Sequence, residues 1–262
     1  MASLGAAFAV AVAAVQTALF AVVGATFLAR DARHDAPRTA RDAMATWWFA
    51  LALSTAAGGL LGLMALLTSS PVELAADVTL LELGGLCAGL AGLLYYMTYL
   101  ATGWTRMLWP ITLAYAAVFV WLSQRVAAWN PVGVEGPSWS LHVVYAHPPG
   151  AAATTLLLVL LIAPQFLVAA ALGMVALRLP RGPSRQRATV LAVGILVWFG
   201  LGLVGQAAGT ASGAAWSVVQ ALLGMGVAVA VLWVYRASER GLHGARATAT
   251  AARSPSRGEA ER

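Results

Sequence analysis

Residues 153–177 read ATTLLLVLLIAPQFLVAAALGMVAL, with no charged side chain from Ala153 to Leu177. A helix needs roughly 20 apolar residues to cross the ~30 Å hydrocarbon core of a bilayer, so this stretch reads as a membrane span. Pro164, in its middle, does not argue against a helix there. In lipid the carbonyl that a proline frees is taken up by a neighbouring helix, a side chain or a local change of helical pitch.

Six further stretches have the same character, at 4–29, 45–68, 77–101, 107–128, 189–210 and 214–235. The expected fold is therefore all-α, a polytopic bundle of seven transmembrane helices over 1–236. A basic, disordered cytoplasmic tail is expected over 237–262. Composition agrees: 60% of the 262 residues are hydrophobic and 10% are charged, against roughly 25% charged in soluble domains. The first stretch is read as a helix and not a signal peptide, because no basic residue precedes it and its apolar run outlasts a roughly 7–15-residue signal core.

Orientation follows from the arginines, since basic residues are retained on the cytoplasmic side of short loops. Arg30, Arg33, Arg38 and Arg41 follow the first span, Arg106 the third, and Arg178, Arg181, Arg185 and Arg187 the fifth. Six more follow the seventh span, and Arg125 alone falls on the opposite side. The N-terminus is expected outside and the tail inside, in a multi-pass protein of the plasma membrane. The net charge of +6 is thus a record of topology and lipid contact, and no nucleic-acid partner is expected.

Several chemistries are excluded by residue type. All sixteen basic residues are Arg, so no lysine can carry a retinal Schiff base. Cys87 is the sole cysteine, which rules out an intrachain disulfide and a cysteine metal cluster. His34, His142, His147 and His243 all lie outside the spans, away from where haem ligands must sit. His142, His147 and Glu135 do not have diagnostic metal-ligand spacing. No cofactor and no metal are expected, and no nucleophile with an oriented base or phosphate loop points to an enzyme.

Glu82 is the one acidic residue well within a span. Intramembrane carboxylates are paired or face a cavity, so Glu82 is either a ligand or proton site, or the partner of Arg125 in an ion pair. It recurs with Gly85, Gly89, Gly92, Tyr96 and Tyr99 at three- and four-residue spacing, which places them on one helix face. Gln165 after Pro164, together with Gln16, Gln206 and Gln220, supplies polar points that either line a cavity or bond helix to helix. Gly58 with Gly62, Gly85 with Gly89 and Gly205 with Gly209 are expected helix-packing pairs. The outward segment from Asn130 to Ala152 is too rich in proline for a helix and is expected to form a structured cap.

Three stretches resemble the seven-transmembrane sensory region at the N-terminus of certain histidine kinases. Tyr96 to Arg106, YMTYLATGWTR, is similar to that family's aromatic third helix and its closing turn, although Ala101 and Trp104 interrupt the pattern. WNPVGVEGPSWSLHVVY before the fifth span and PSRQR before the sixth are the others. The resemblance implies a stand-alone sensor that relays a ligand or membrane stimulus to a separate cytoplasmic signalling partner. Pro164-Gln165 is also similar to the dipeptide of PQ-loop transporters, which implies a small-solute carrier built of parallel repeats. A bundle that assembles or anchors another membrane protein is the third reading. Glu82, Tyr96, Tyr99, Gln165 and Gln206 are the residues expected to line the interior.

Overall fold

The computed structural model describes residues 2–29, 38–67, 72–135, 142–207 and 218–236. Seven helices are described: α1 (Ala2–Ala29), α2 (Arg38–Leu67), α3 (Val72–Thr102), α4 (Leu108–Trp129), α5 (Ala151–Arg178), α6 (Pro183–Ala207) and α7 (Val218–Arg236). Among the described residues, all but α6 are long and apolar enough to cross a membrane, which makes the chain a multi-pass membrane protein. Helix α6 begins on PSRQR, with Arg185 and Arg187 in its first turns, and its apolar run follows them. The expected tail 237–262 and the connection around Thr210 lie outside the described residues.

Helices α2, α3 and α6 begin before the apolar runs that announce them. Hydropathy marks where a helix meets lipid, whereas its hydrogen bonding continues through polar turns beyond. In α2 one such turn carries Arg38 and Asp42, a full turn apart and 3.8 Å from each other.

Contacts along the first three helices run in antiparallel order. Between α1 and α2, Val10 meets Gly62, Ala13 meets Gly59, and Gly24 meets the Phe49 ring. Thr17 and Thr55 share a hydrogen bond of 2.9 Å. Between α2 and α3, Thr39 bonds the Tyr95 hydroxyl at 3.1 Å, and Gly92, Gly89 and Gly85 face Ala43, Ala50 and Leu53 in turn. Lipid supplies no hydrophobic drive between helices, so close backbone approach at small residues takes its place. The bundle closes where α7 returns to α1, with the Phe27 and Tyr235 rings 4.8 Å apart. One core joins all seven helices, with Phe20, Trp47, Leu90, Leu122, Leu172, Ile195 and Val231 among its buried members.

The proline-rich cap is a β-hairpin. Strand β1 (Pro131–Glu135) pairs antiparallel with β2 (His142–Tyr145), Glu135 opposite His142, with a bulge between Pro131 and Gly133. Pro131 is tolerated as the first strand residue. Asn130 ends α4 in the left-handed conformation at φ 51°, a position where asparagine is among the few non-glycine residues favoured. Val134 and Val143 of the hairpin pack on Ala57, Leu61 and Val78, so it covers the adjoining ends of α2 and α3.

Candidate ligand site and hinge

Glu82 lies ten residues inside the start of α3, under the hairpin. Thr79, Glu82, Leu86, Leu90 and Leu93 recur at helical spacing, and the three leucines join the core. Glu82 therefore stands at the hairpin-side margin of that core. Its carboxylate is accessible yet recessed among protein atoms, and it accepts the Ser54 hydroxyl at 3.3 Å. One turn nearer the hairpin, Thr79 and the Tyr145 hydroxyl are 3.3 Å apart, and the Tyr145 ring meets Trp129 edge-on at 5.8 Å. The site thus has one carboxylate, three hydroxyls and two aromatic rings on α2, α3, α4 and β2.

The expected ion pair of Glu82 with Arg125 is not formed. Arg125 instead lies over the Trp121 ring, 5.6 Å from its centroid. The reason is depth. At 1.5 Å per residue, Glu82 is about 15 Å from the end of its helix and Arg125 about 6 Å from the end of its own.

The α3 glycines do not turn to a cavity with Glu82 but to α2. A Cβ at Gly89 would stand 2.6 Å from that of Ala50, and one at Gly85 3.2 Å from Leu53 Cδ2. Tyr95, three residues beyond Gly92, is the fully buried tyrosine of this helix, while Tyr96 and Tyr99 are half-buried. Of the other pair, Gly62 contacts Val10, but Gly58 faces open space and Gly59 takes its place against Ala13. Gly205 and Gln206 are in the last turns of α6, where their packing, like Gly209, falls outside the described residues.

The second feature is in α5. Leu158–Ile162 form a π-turn, closed by the Ala163 N–H on the Leu158 carbonyl. Pro164 explains why it is here: proline has no N–H to give to the carbonyl four residues back, that of Leu160. The Tyr115 hydroxyl of α4 donates to that oxygen at 3.2 Å. Gln165 is fully buried; its Nε2 donates to the Leu161 carbonyl at 2.8 Å, and its Oε1 has no partner among the described residues. Tyr115 and the π-turn were not legible in the sequence, although Pro164 marked the position.

Gln16 is likewise buried, with its Nε2 unpartnered among the described residues. Gln220 donates to the Trp198 carbonyl of α6 at 3.1 Å. The glutamines are therefore distributed: Gln165 at the α3, α4 and α5 side, Gln16 and Gln220 near α6 and α7. No family model matches the sequence, and no curated protein matches it.

Proposed function

We propose that the chain is a seven-helix sensor of the plasma membrane, with its N-terminus and hairpin outside and its arginine-rich ends in the cytoplasm. A ligand received at Glu82 beneath the hairpin would shift the packing of α5 and, through Arg178 to Arg187, a cytoplasmic partner. The observation that carries this reading is the α5 hinge. It joins a π-turn, a helix-breaking proline and a buried amide with an unpaired oxygen in one element. Single π-turns recur at functional sites, and a switch needs an element with two packings that a stimulus separates energetically. Shifting the π-turn along α5 would exchange which carbonyls Tyr115 and Gln165 satisfy.

The test uses the purified chain in proteoliposomes and its partner recovered by crosslinking in cells. Crosslinking that changes in Pro164→Ala, with no solute counterflow by the wild type, supports sensing. Counterflow by the wild type overturns it.

The transporter reading is favoured by one observation. Gln16 and Gln165 are both buried, and each carries an amide atom with no partner among the described residues. Parallel repeats would place α1 and α5 in equivalent positions. Under that reading counterflow is present and is abolished by Gln16→Leu and Gln165→Leu alike.

A further inference from the structure

Helix α3 leaves one face partly uncovered between α2 and α4. Asp77, Leu80, Leu81, Gly84 and Gly85 recur along it at three- and four-residue spacing. The two glycines set its floor. A Cβ at Gly85 would stand 3.2 Å from Leu53 Cδ2 of α2, and one at Gly84 would stand 3.2 Å from the Phe119 ring of α4. Leu53 and Phe119 therefore form the two walls of a groove of about 350 Å³, open along its outer side, with Asp77 as the charged member of its lining. Glu82 lies outside that lining.

The groove crosses from one solvent to another. With 31 residues, α3 is about 46 Å long, roughly 16 Å more than the hydrocarbon of a bilayer. Set evenly across the membrane, it extends about 8 Å beyond the hydrocarbon at each end. Asp77, five residues after Val72, is about 8 Å inside the helix start, and so stands at the hydrocarbon boundary. Gly85 is about 12 Å deeper, among the acyl chains. About 350 Å³ over that length gives a cross-section of roughly 30 Å². That is the width of one hydrocarbon chain and too narrow for a helix, whose diameter is about 10–12 Å.

Asp77 is exposed and has no hydrogen-bond or ion-pair partner among the described residues. Arg125 of α4 is turned onto the Trp121 ring instead. A calcium ion takes roughly 6–8 oxygens, whereas the described lining offers one carboxylate. An ammonium group is satisfied by one carboxylate and the surrounding water and headgroups, and an alkyl chain attached to it enters the apolar part of the groove.

We propose, independently of the reading of Glu82, that this groove binds a single-chain amphiphile with a primary ammonium head, dissolved in the bilayer. The ammonium pairs with the Asp77 carboxylate, and the chain runs over Gly84 and Gly85 between Leu53 and Phe119.

The test uses the full chain in phosphatidylcholine nanodiscs and three photoreactive probes that share a mid-chain diazirine and differ in the head: octadecylamine, octadecanol and octadecanoate. Labelled positions are mapped by peptide mass spectrometry. The expected result is saturable labelling of α3 near Leu81 and of α4 near Phe119 by the amine. At limiting probe it exceeds labelling by the alcohol about fivefold, the scale of an exposed ion pair, and the carboxylate labels least. Asp77→Asn brings the amine down to the alcohol at those positions, and Gly84→Leu, which fills the floor, removes labelling there by all three. Equal labelling by the three heads is boundary lipid alone and overturns the proposal. An amine preference that survives Asp77→Asn overturns it, as does saturable amine labelling that maps elsewhere. If Gly84→Leu does not fold, Asp77→Asn, at an exposed position, still decides.

Discussion

Gly92→Ala is the sharpest test of how α3 is held against α2. A Cβ at Gly92 would run into the carbonyl oxygen of Ala43, with the Ala43 carbonyl carbon at 3.3 Å and Thr46 Cβ at 3.4 Å. The obstacle is backbone, which no rotamer change removes, so the two helices must part. Overpacking of this kind costs roughly 1–3 kcal/mol, while alanine returns roughly 0.5–1 kcal/mol of helix propensity. The net expectation is a loss of about 1–2 kcal/mol. Gly58→Ala is the control, because nothing lies within 4 Å of its added Cβ; it should keep the propensity gain of roughly 0.5–1 kcal/mol. Reversible unfolding of the purified chain in mixed micelles of increasing dodecyl sulfate fraction reads both. The midpoint should fall for Gly92→Ala and rise for Gly58→Ala. Two midpoints that move together, in either direction, refute the claim that close backbone approach holds this helix pair.

Tyr115→Phe removes the donor to the Leu160 carbonyl and should cost about 1 kcal/mol in the same unfolding assay. Pro164→Ala restores an N–H for that carbonyl, so Tyr115→Phe should cost less in the Pro164→Ala background; a double-mutant cycle measures the coupling. Gly103, at φ +71° after α3, should lose roughly 1 kcal/mol on substitution by alanine, seen as a lower unfolding midpoint. For topology, Ser238→Cys in a Cys87→Ala background should react with an impermeant maleimide in inverted vesicles and not in intact cells; labelling in intact cells reverses the proposed orientation.

What could be read before the structure follows from what each signal depends on. A span is a property of one segment and its solvent, so each of the seven apolar runs fell on one of the seven described helices, to within a few residues at most ends. The hairpin was missed as a hairpin because strand pairing is a relation between two segments. PVGVE and HVVY are short, and neither declares the other. Tyr95 and Gly92 show the same limit on a helix. The sequence places Tyr96 on the same three- and four-residue row as Glu82, yet the side of α3 that α2 covers is chosen by where α2 lies. Tyr95, one residue away, is the tyrosine that finds Thr39.

That distinction also explains why polar side chains were the hardest to assign. In water, burial sorts polar from apolar, so a buried glutamine stands out. In lipid the outward faces are as apolar as the core, and the position of Gln16, Gln165 or Trp48 in the sequence carries no sign of whether a partner awaits it. Each was found by asking where its hydrogen-bonding groups go. Gln165 spends one of them on its own helix at the π-turn, and Ser54 answers Glu82 from the next helix. Among the described residues, Gln16 Nε2 and Trp48 Nε1 find no partner. Packing forces alone do not retain such atoms, since an apolar residue of like volume would fill the same space without the loss of hydration.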